Sequence, residues 1–344
     1  MRALIVTTMR NEGPYILEWL AHHRAVGFTD FLVFSNDCDD GTDALLDRLH
    51  ELGQIVHCRT KKGDRSVQWE ALSAASAHPL TRAADWILVS DVDEFLTIRA
   101  GRGTLADLHT ACPHADGFAI GWRMFGSCGR VAFDPDSVLD QFTQAAPETL
   151  VWPLRAILYK CLFRNSGTYR KLGVHRPRGR RDGGPFAWVD GSGRPFPGAG
   201  PESSPAVVHS EGQYALAQLN HYAVKSAEDF LVKRDRGKPN HMEQEIDLAY
   251  WVDRNFNTVE DLSAHRLKAE RRALLQDLRA DGQLADLEQR AIDWRRARIV
   301  WLLTDLDTFL LFSRLQLVPK SRVLPMEEQL MLVRARGRLA QTPS

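Results

Sequence analysis

The sequence predicts an α/β fold: a Rossmann-like, mainly parallel central sheet flanked by helices, with a helical C-terminal extension. Three observations carry this. Short apolar runs alternate with helix-like segments over the first hundred residues. Polar clusters at 8–12, 36–42 and 91–94 all fall at predicted strand ends, where open α/β sheets bind their ligands. From Ala227 onward, apolar residues recur at roughly helical spacing.

Ala3-Leu-Ile-Val-Thr7 is apolar and β-branched, as suits a strand buried on both faces. Asn11-Glu-Gly-Pro14 leads into a helix over Tyr15 to Val26, and Gly27 is its stop signal. Phe31 to Phe34 is the second strand, followed by an acidic turn at 35–42 and a helix over Asp43 to Leu52. Ile55 to His57 is a third strand, Val67 to Ala77 an Ala-rich helix, and Trp86 to Ser90 a fourth strand ending in Asp91-Val-Asp-Glu-Phe95. Gly117 to Trp122 and Ala156 to Phe163 are strand-like, with a turn into Gly173-Val-His175. Twelve of the 28 positions in 178–205 are Gly or Pro, which marks a loop-rich insertion. Gln218 to Tyr222 resumes the ordered pattern. The chain then divides as 1–115, 116–240 and a helical region 241–344.

The 344 residues carry 44 Lys+Arg and 44 Asp+Glu, so the formal net charge is zero. That balance argues against generic nucleic-acid affinity. Five cysteines, odd in number and without a CxxC, argue against a disulfide scaffold or a structural zinc. The N-terminal apolar run is short for a signal peptide, and the greasiest stretch, Ile299 to Val318, is broken by Asp305, Asp307, Ser313 and Arg314. The expectation is a cytoplasmic protein, with a membrane face as one possible contact.

Asp91-Val-Asp93 is the sharpest motif. On an extended segment, residues i and i+2 face one side, so both carboxylates would aim at one point. Two carboxylates with open water sites suit Mn²⁺ or Mg²⁺ held together with a diphosphate. Asn36, Asp37, Asp39 and Asp40 form a second cluster, suited to nucleoside hydroxyls or to an Asx-turn that caps the next helix. No GxGxxG follows the first strand, against a dinucleotide-binding dehydrogenase. His221 could complete a metal site and Lys225 meet phosphate oxygens; a buried structural histidine is the alternative. Lys233, Arg234, Arg236 and Lys238 make either an anion-binding patch or a solvated face. His175 is a candidate base or acceptor contact. Trp122, Phe125 and Trp152 are candidates for stacking on sugars, or core residues.

These motifs together resemble the glycosyltransferase family 2 superfamily with the GT-A fold. The likeness runs through Arg10-Asn-Glu-Gly-Pro-Tyr-Ile-Leu-Glu-Trp-Leu-Ala-His-His-Arg-Ala-Val-Gly27, Phe34 to Thr42, Ala84 to Leu96, Gly173-Val-His175 and Asn220 to Ser226, over about residues 1–240. The resemblance implies a nucleoside-diphosphate sugar donor, Mn²⁺ or Mg²⁺, and inverting transfer to an acceptor hydroxyl in glycan or polysaccharide synthesis. It makes 1–115 the nucleotide-sugar half and 116–240 the acceptor half of one domain. Thr8, Arg10, Asn11, Glu12, Asn36, Asp37, Arg65, Asp91 and Lys225 are then donor contacts. Asp91, Asp93 and His221 are the metal set, and His175 with Asp93 the catalytic pair. The usual acidic base should precede the metal histidine, but Glu228-Asp229 follows it, so Asp134 and Asp136 stay open beside His175. The acceptor, whether a glycan, a lipid-linked sugar or a protein, is not legible. The C-terminal helices are expected to pack on the core, form a homodimer or touch a membrane. A nucleotidyltransferase and a non-catalytic binding protein are the rival classes. The first should carry a glycine-rich basic loop where Arg10-Asn-Glu-Gly stands.

Overall fold

The computed structural model describes residues 1–60, 66–181, 185–196, 212–237 and 246–339. Arg65, Lys238 and most of the loop-rich insertion at 178–205 lie outside them. The chain order begins β1 (Ala3–Met9), α1 (Ile16–Val26), β2 (Asp30–Ser35), α2 (Thr42–Glu51), β3 (Val56–Arg59), α3 (Val67–Ala77), α4 (Pro79–Ala83), β4 (Trp86–Val89), β5 (Glu94–Ile98) and α5 (Leu105–Ala111). It continues with β6 (Gly117–Met124), α6 (Val138–Gln141), β7 (Gln144–Ala145), β8 (Tyr159–Arg164), β9 (Tyr169–Lys171), β10 (Arg178–Arg180), β11 (Trp188–Asp190) and β12 (Ala217–His221). The rest is α7 (Ala227–Arg236), α8 (Leu248–Val252), β13 (Val259–Glu260), α9 (Lys268–Arg279), α10 (Gly282–Leu302), α11 (Leu306–Leu317) and α12 (Met326–Leu339).

The fold is mixed α/β with a curled central sheet, helices on its flanks and helices at its C-terminus. The strand order is β3-β2-β1-β4-β8-β6-β12-β5, with β11 also paired to β6. The first four strands are mutually parallel. Antiparallel β8 then turns the order, and it pairs with both β4 and β6. Successive positions of β6 hold different neighbours: Gly117–Ala119 pair with β11 and Trp122–Met124 with β12. β1 is a continuous apolar run because helices cover both of its faces. One core lies between the sheet and α1, α2, α5, α9 and the start of α10. A second lies under α3, and a third joins α7, α8, α10 and α11.

The helix that carried much of the resemblance is a structural pin. Gly27 ends α1 in the left-handed region, at φ +111°, and its N–H bonds the carbonyls of His23 and Arg24. Within α1, Glu18 accepts from Val138 N at 2.7 Å and from Ser137 Oγ, and lies 3.7 Å from Arg271 on α9. His22 Nε2 lies 2.7 Å from the Leu96 carbonyl. His23 Nε2 accepts from Leu96 N at 3.3 Å, which leaves Nδ1 to donate to the Trp19 carbonyl at 2.9 Å. Burial pushes the His23 imidazole down to about 3, so it stays neutral and can fill both roles.

Candidate active site

The carboxyl ends of β1, β2 and β4 open into a cleft of about 900 Å³. Thr8, Arg10, Glu12, Asn36, Asp37, Asp91, Asp93, Trp122, His175 and His221 all line it. Asn11 and Lys225 line a small neighbouring cavity instead. Phe125 is buried in the core, and Trp152 is not among the cleft residues. Asp134 and Asp136 also lie off the cleft; Asp134 sits 3.6 Å from Arg130.

The Asp91–Asp93 segment is not extended. Glu94 N–H bonds the Asp91 carbonyl at 3.1 Å, which closes a tight turn. Its cause is the Glu94 side chain, which accepts from Asp91 N at 2.9 Å and Ser90 Oγ at 3.1 Å. The turn reverses the chain so that β5 runs antiparallel to β12. Both carboxylates still reach the cleft, by a turn rather than by strand alternation.

Each carboxylate has a lysine. Lys160, buried on β8, places Nζ 3.0 Å from Asp91 Oδ2 and 3.4 Å from Glu94 Oε2. Burial pushes Glu94 up to about 8 against the pull of Lys160, with Asp91 and Asp93 adding to the rise. Lys233 on α7 donates to Asp93 Oδ2 and to the Ala223 carbonyl, both at 2.7 Å. Burial alone would raise the Asp93 carboxyl, but Lys233 and His221 hold it well below the usual carboxylate range. His221 Nε2 lies 3.6 Å from the same oxygen. Burial lowers the His221 imidazole while Asp93 opposes that, and its buried Nδ1 has no hydrogen-bond partner.

The loop after β1 is cross-braced. Arg236 Nη1 meets Glu12 Oε1 and donates to the Arg10 carbonyl at 3.1 Å. Arg10 Nη1 returns a bond to the Arg236 carbonyl at 3.3 Å, and its Nε reaches the Asp37 carbonyl at 3.0 Å. Asn11 (φ +53°) uses its side chain inside the loop, accepting from Asp39 N at 2.8 Å. Asp40 bonds Gly13 N at 3.0 Å and Thr42 N at 2.9 Å, so the turn-and-cap alternative describes this half of the acidic cluster. Asn36 and Asp37 face the cleft.

Lys225 turns inward, its Nζ 4.0 Å from the centre of the Tyr15 ring. Burial lowers its ammonium to about 8. Nearby, Asp229 accepts from Arg295 of α10 at 3.1 Å and from Tyr15 Oη, and Arg295 also donates to the Asn11 carbonyl at 3.2 Å. The C-terminal helix thus braces the floor of the site. His175 projects from the turn between β9 and β10. Its Nδ1 lies 2.9 Å from the Tyr159 carbonyl, which leaves Nε2 as the lone-pair nitrogen, and burial lowers the imidazole to about 4.

Motif reading did not find Lys160, Arg254, Tyr250 or the α10–α11 residues Leu302 and Thr308 that line the cleft. Two signals were available. A lysine inside an apolar strand needs a buried counter-charge, and Lys233 and Arg236, three apart, share one helix face.

Among the described residues, no three His, Cys, Asp or Glu side chains converge closely enough to hold an ion by themselves. A carboxylate and an imidazole 3.6 Å apart, the latter with an idle nitrogen, still fit a divalent ion that takes its other ligands from a diphosphate and water. Lys233 is the cation at that oxygen in this structure. No helix among the described residues is long and apolar enough to cross a membrane.

A family model for glycosyltransferase family 92 matches residues 6–190. A family 92 protein of Oryza sativa subsp. japonica is 26% identical over 152 residues, covering 42% of this chain and 25% of that protein. One of Ricinus communis is 27% identical over 101 residues, covering 28% of this chain and 17% of its own. The match thus spans a quarter or less of these curated relatives. Among solved structures, S. aureus TarS 1-349 aligns at 14% identity with a TM-score of 0.31, covering 48% of each chain. Its complex with UDP-GlcNAc aligns at 16% with a TM-score of 0.30, covering 48% of this chain and 46% of that one.

Proposed function

Since the chain belongs to glycosyltransferase family 92, we propose that it transfers a sugar from a nucleoside-diphosphate sugar to an acceptor hydroxyl, with inversion, in glycan or polysaccharide synthesis. The likeness to the family 2 superfamily and its GT-A fold belongs to the same reading. So does the division into a donor half over 1–115 and an acceptor half over 116–240. The observation that supports it best is one cleft, at the carboxyl ends of β1, β2 and β4, lined by Asp91, Asp93 and a cluster of cations.

In this reading Thr8, Arg10, Glu12, Asn36 and Asp37 hold the nucleoside, and Arg10 with Arg236 fixes the loop that carries Glu12. Asp93 and His221, with Asp91 beside them, would hold Mn²⁺ or Mg²⁺, which supplies charge neutralisation on the departing diphosphate. Lys233, rather than the inward Lys225, is the lysine placed to meet diphosphate oxygens. The acceptor O–H gives its proton to His175 Nε2 as its oxygen bonds the anomeric carbon. The bond from that carbon to the diphosphate breaks, and its electron pair leaves with the diphosphate. A base held near 4 takes the proton only as the hydroxyl acidifies, so proton transfer accompanies departure of the leaving group.

The test is thermal stability with a panel of nucleoside diphosphates and their sugars, with and without Mn²⁺. A rise with one nucleotide that needs Mn²⁺ supports the reading and names the base. No rise with any diphosphate on a folded protein favours a non-catalytic binding protein, and a metal-dependent rise only with a triphosphate favours a nucleotidyltransferase. Asp93→Ala should abolish turnover while leaving a folded protein.

A further inference from the structure

The exposed β9–β10 hairpin carries a charge pattern that the donor site does not use. Between Asn165 and Arg181 the chain holds Arg170, Lys171, Arg176, Arg178, Arg180 and Arg181 and no Asp or Glu, although the whole chain is neutral. Arg170, Lys171, Arg178, Arg180 and Arg181 are exposed. Among the described residues, no carboxylate pairs with Arg170, Lys171 or Arg178. In the antiparallel register Arg178 stands directly opposite Lys171. Like charges facing across a strand pair repel, and an anion seated between them relieves that repulsion.

The platform is rigid enough to be a site. Leu172 N donates to Ser76 Oγ of α3 at 3.0 Å. The Arg178 guanidinium stacks on Trp69 of α3, 4.4 Å from the ring centre. Tyr169 packs against Phe163, Phe186 and Trp188. The turn joining the two strands places Val174 and His175 in the cleft, and the first residues of α3, Ser66 to Gln68, line it alongside them. The cationic strands therefore run directly into the wall that carries the candidate base.

We propose that the β9–β10 hairpin is the acceptor-binding rim and that it receives a polyanionic glycan chain, one bearing phosphate or carboxylate groups. The anionic groups lie across Lys171 and Arg178, and a hydroxyl of the chain is thereby directed into the cleft at His175. This rests on the transferase reading for the direction of the chain, but the binding itself does not need the donor site.

The experiment is binding of the full chain to polygalacturonate and to inorganic polyphosphate, with dextran as the neutral control. The triple variant Arg170→Ala/Lys171→Ala/Arg178→Ala and Asp93→Asn are compared with the native chain. The expected result is salt-sensitive binding to at least one polyanion and none to dextran, weakened tenfold or more in the triple variant. Asp93→Asn should bind the polyanion normally. Melting temperatures of the triple variant should match the native chain, because these side chains are exposed. Absence of polyanion binding, or binding unchanged in the triple variant, overturns the proposal. So does a hairpin-dependent interaction seen only with vesicles of phosphatidylcholine and phosphatidylglycerol, which would make the rim a membrane contact. If the donor reading is wrong, nucleotides fail to bind while polyanion binding persists, so the two failures are distinguishable.

Discussion

Replacing Lys233 with Met tests the electrostatic centre of the site. Lys233 Nζ is 2.7 Å from Asp93 Oδ2, both side chains are largely buried, and the next basic group at that oxygen is His221 at 3.6 Å. His221 is held neutral by burial, so Lys233→Met strips a buried carboxylate of its main counter-charge. Breaking one side of a buried pair costs about 3–5 kcal/mol. With an unfolding entropy of about 2.1 cal/mol/K per residue, a chain of this size loses about 4–7 °C in melting temperature. Mn²⁺ should then stabilise the variant more than the native chain, because the ion no longer competes with an ammonium at Asp93. An ion at a hundred times its dissociation constant adds about 2.7 kcal/mol, enough to recover about 4 °C. The assay is thermal unfolding of the native chain, Lys233→Met, Asp93→Asn and the double variant, each with and without Mn²⁺. The double variant should lose less than the sum of the singles. A Lys233→Met melting temperature within about 1 °C of native, or an equal Mn²⁺ shift in both, would refute the pairing and its competition with metal.

Other expectations follow from the same structure. Acid should weaken the fold through His23: its folded pKa is depressed to about 3, so the stability it contributes is present above pH 6.5 and lost as pH falls toward 3. Between pH 6.5 and 4 that loss is about 3 kcal/mol, read as a falling urea midpoint, and His23→Gln should show a shallower slope than the native chain. Glu94 acts in the opposite sense. Its folded pKa is raised to about 8, so its contribution is full below about pH 4.5 and lost as pH rises through 8, and Glu94→Gln should flatten the alkaline limb of the stability profile. Lys160→Met should impair donor binding without touching the donor, because Asp91 and Glu94 lose their shared cation; unchanged affinity for a nucleoside diphosphate would sink that role. On α11, Leu306, Phe309, Leu310 and Leu317 are exposed on the face opposite Thr308, Leu311 and Leu315. If a homodimer or a membrane contact forms there, Leu306→Glu with Leu317→Glu should abolish it in light scattering or vesicle sedimentation and leave the melting temperature unchanged.

Much of the architecture was legible in the linear pattern because it is set by local chemistry. Apolar β-branched runs made β1, β2 and β4 buried parallel strands, Gly27 stopped α1 by accepting a positive φ, and the polar residues that followed each strand had to lie at one edge of the sheet. That is why Thr8, Arg10, Glu12, Asn36, Asp37, Asp91 and Asp93 could be grouped before any coordinates, and why they meet in one cleft. Direction and pairing were not legible. Whether residues 91–93 run straight or turn depends on where the Glu94 carboxylate finds donors, and it finds them in its own backbone. Lys225 and Lys233 are both lysines near His221, yet a positive φ at Lys225 sends it inward over Tyr15 while the face of α7 delivers Lys233 to Asp93. Lys160 sits 69 residues from Asp91, and Arg295 lies 284 residues from Asn11. Ion pairing over such separations is decided by how sheet and helices pack, since a buried charge takes whichever counter-charge the tertiary structure brings within reach.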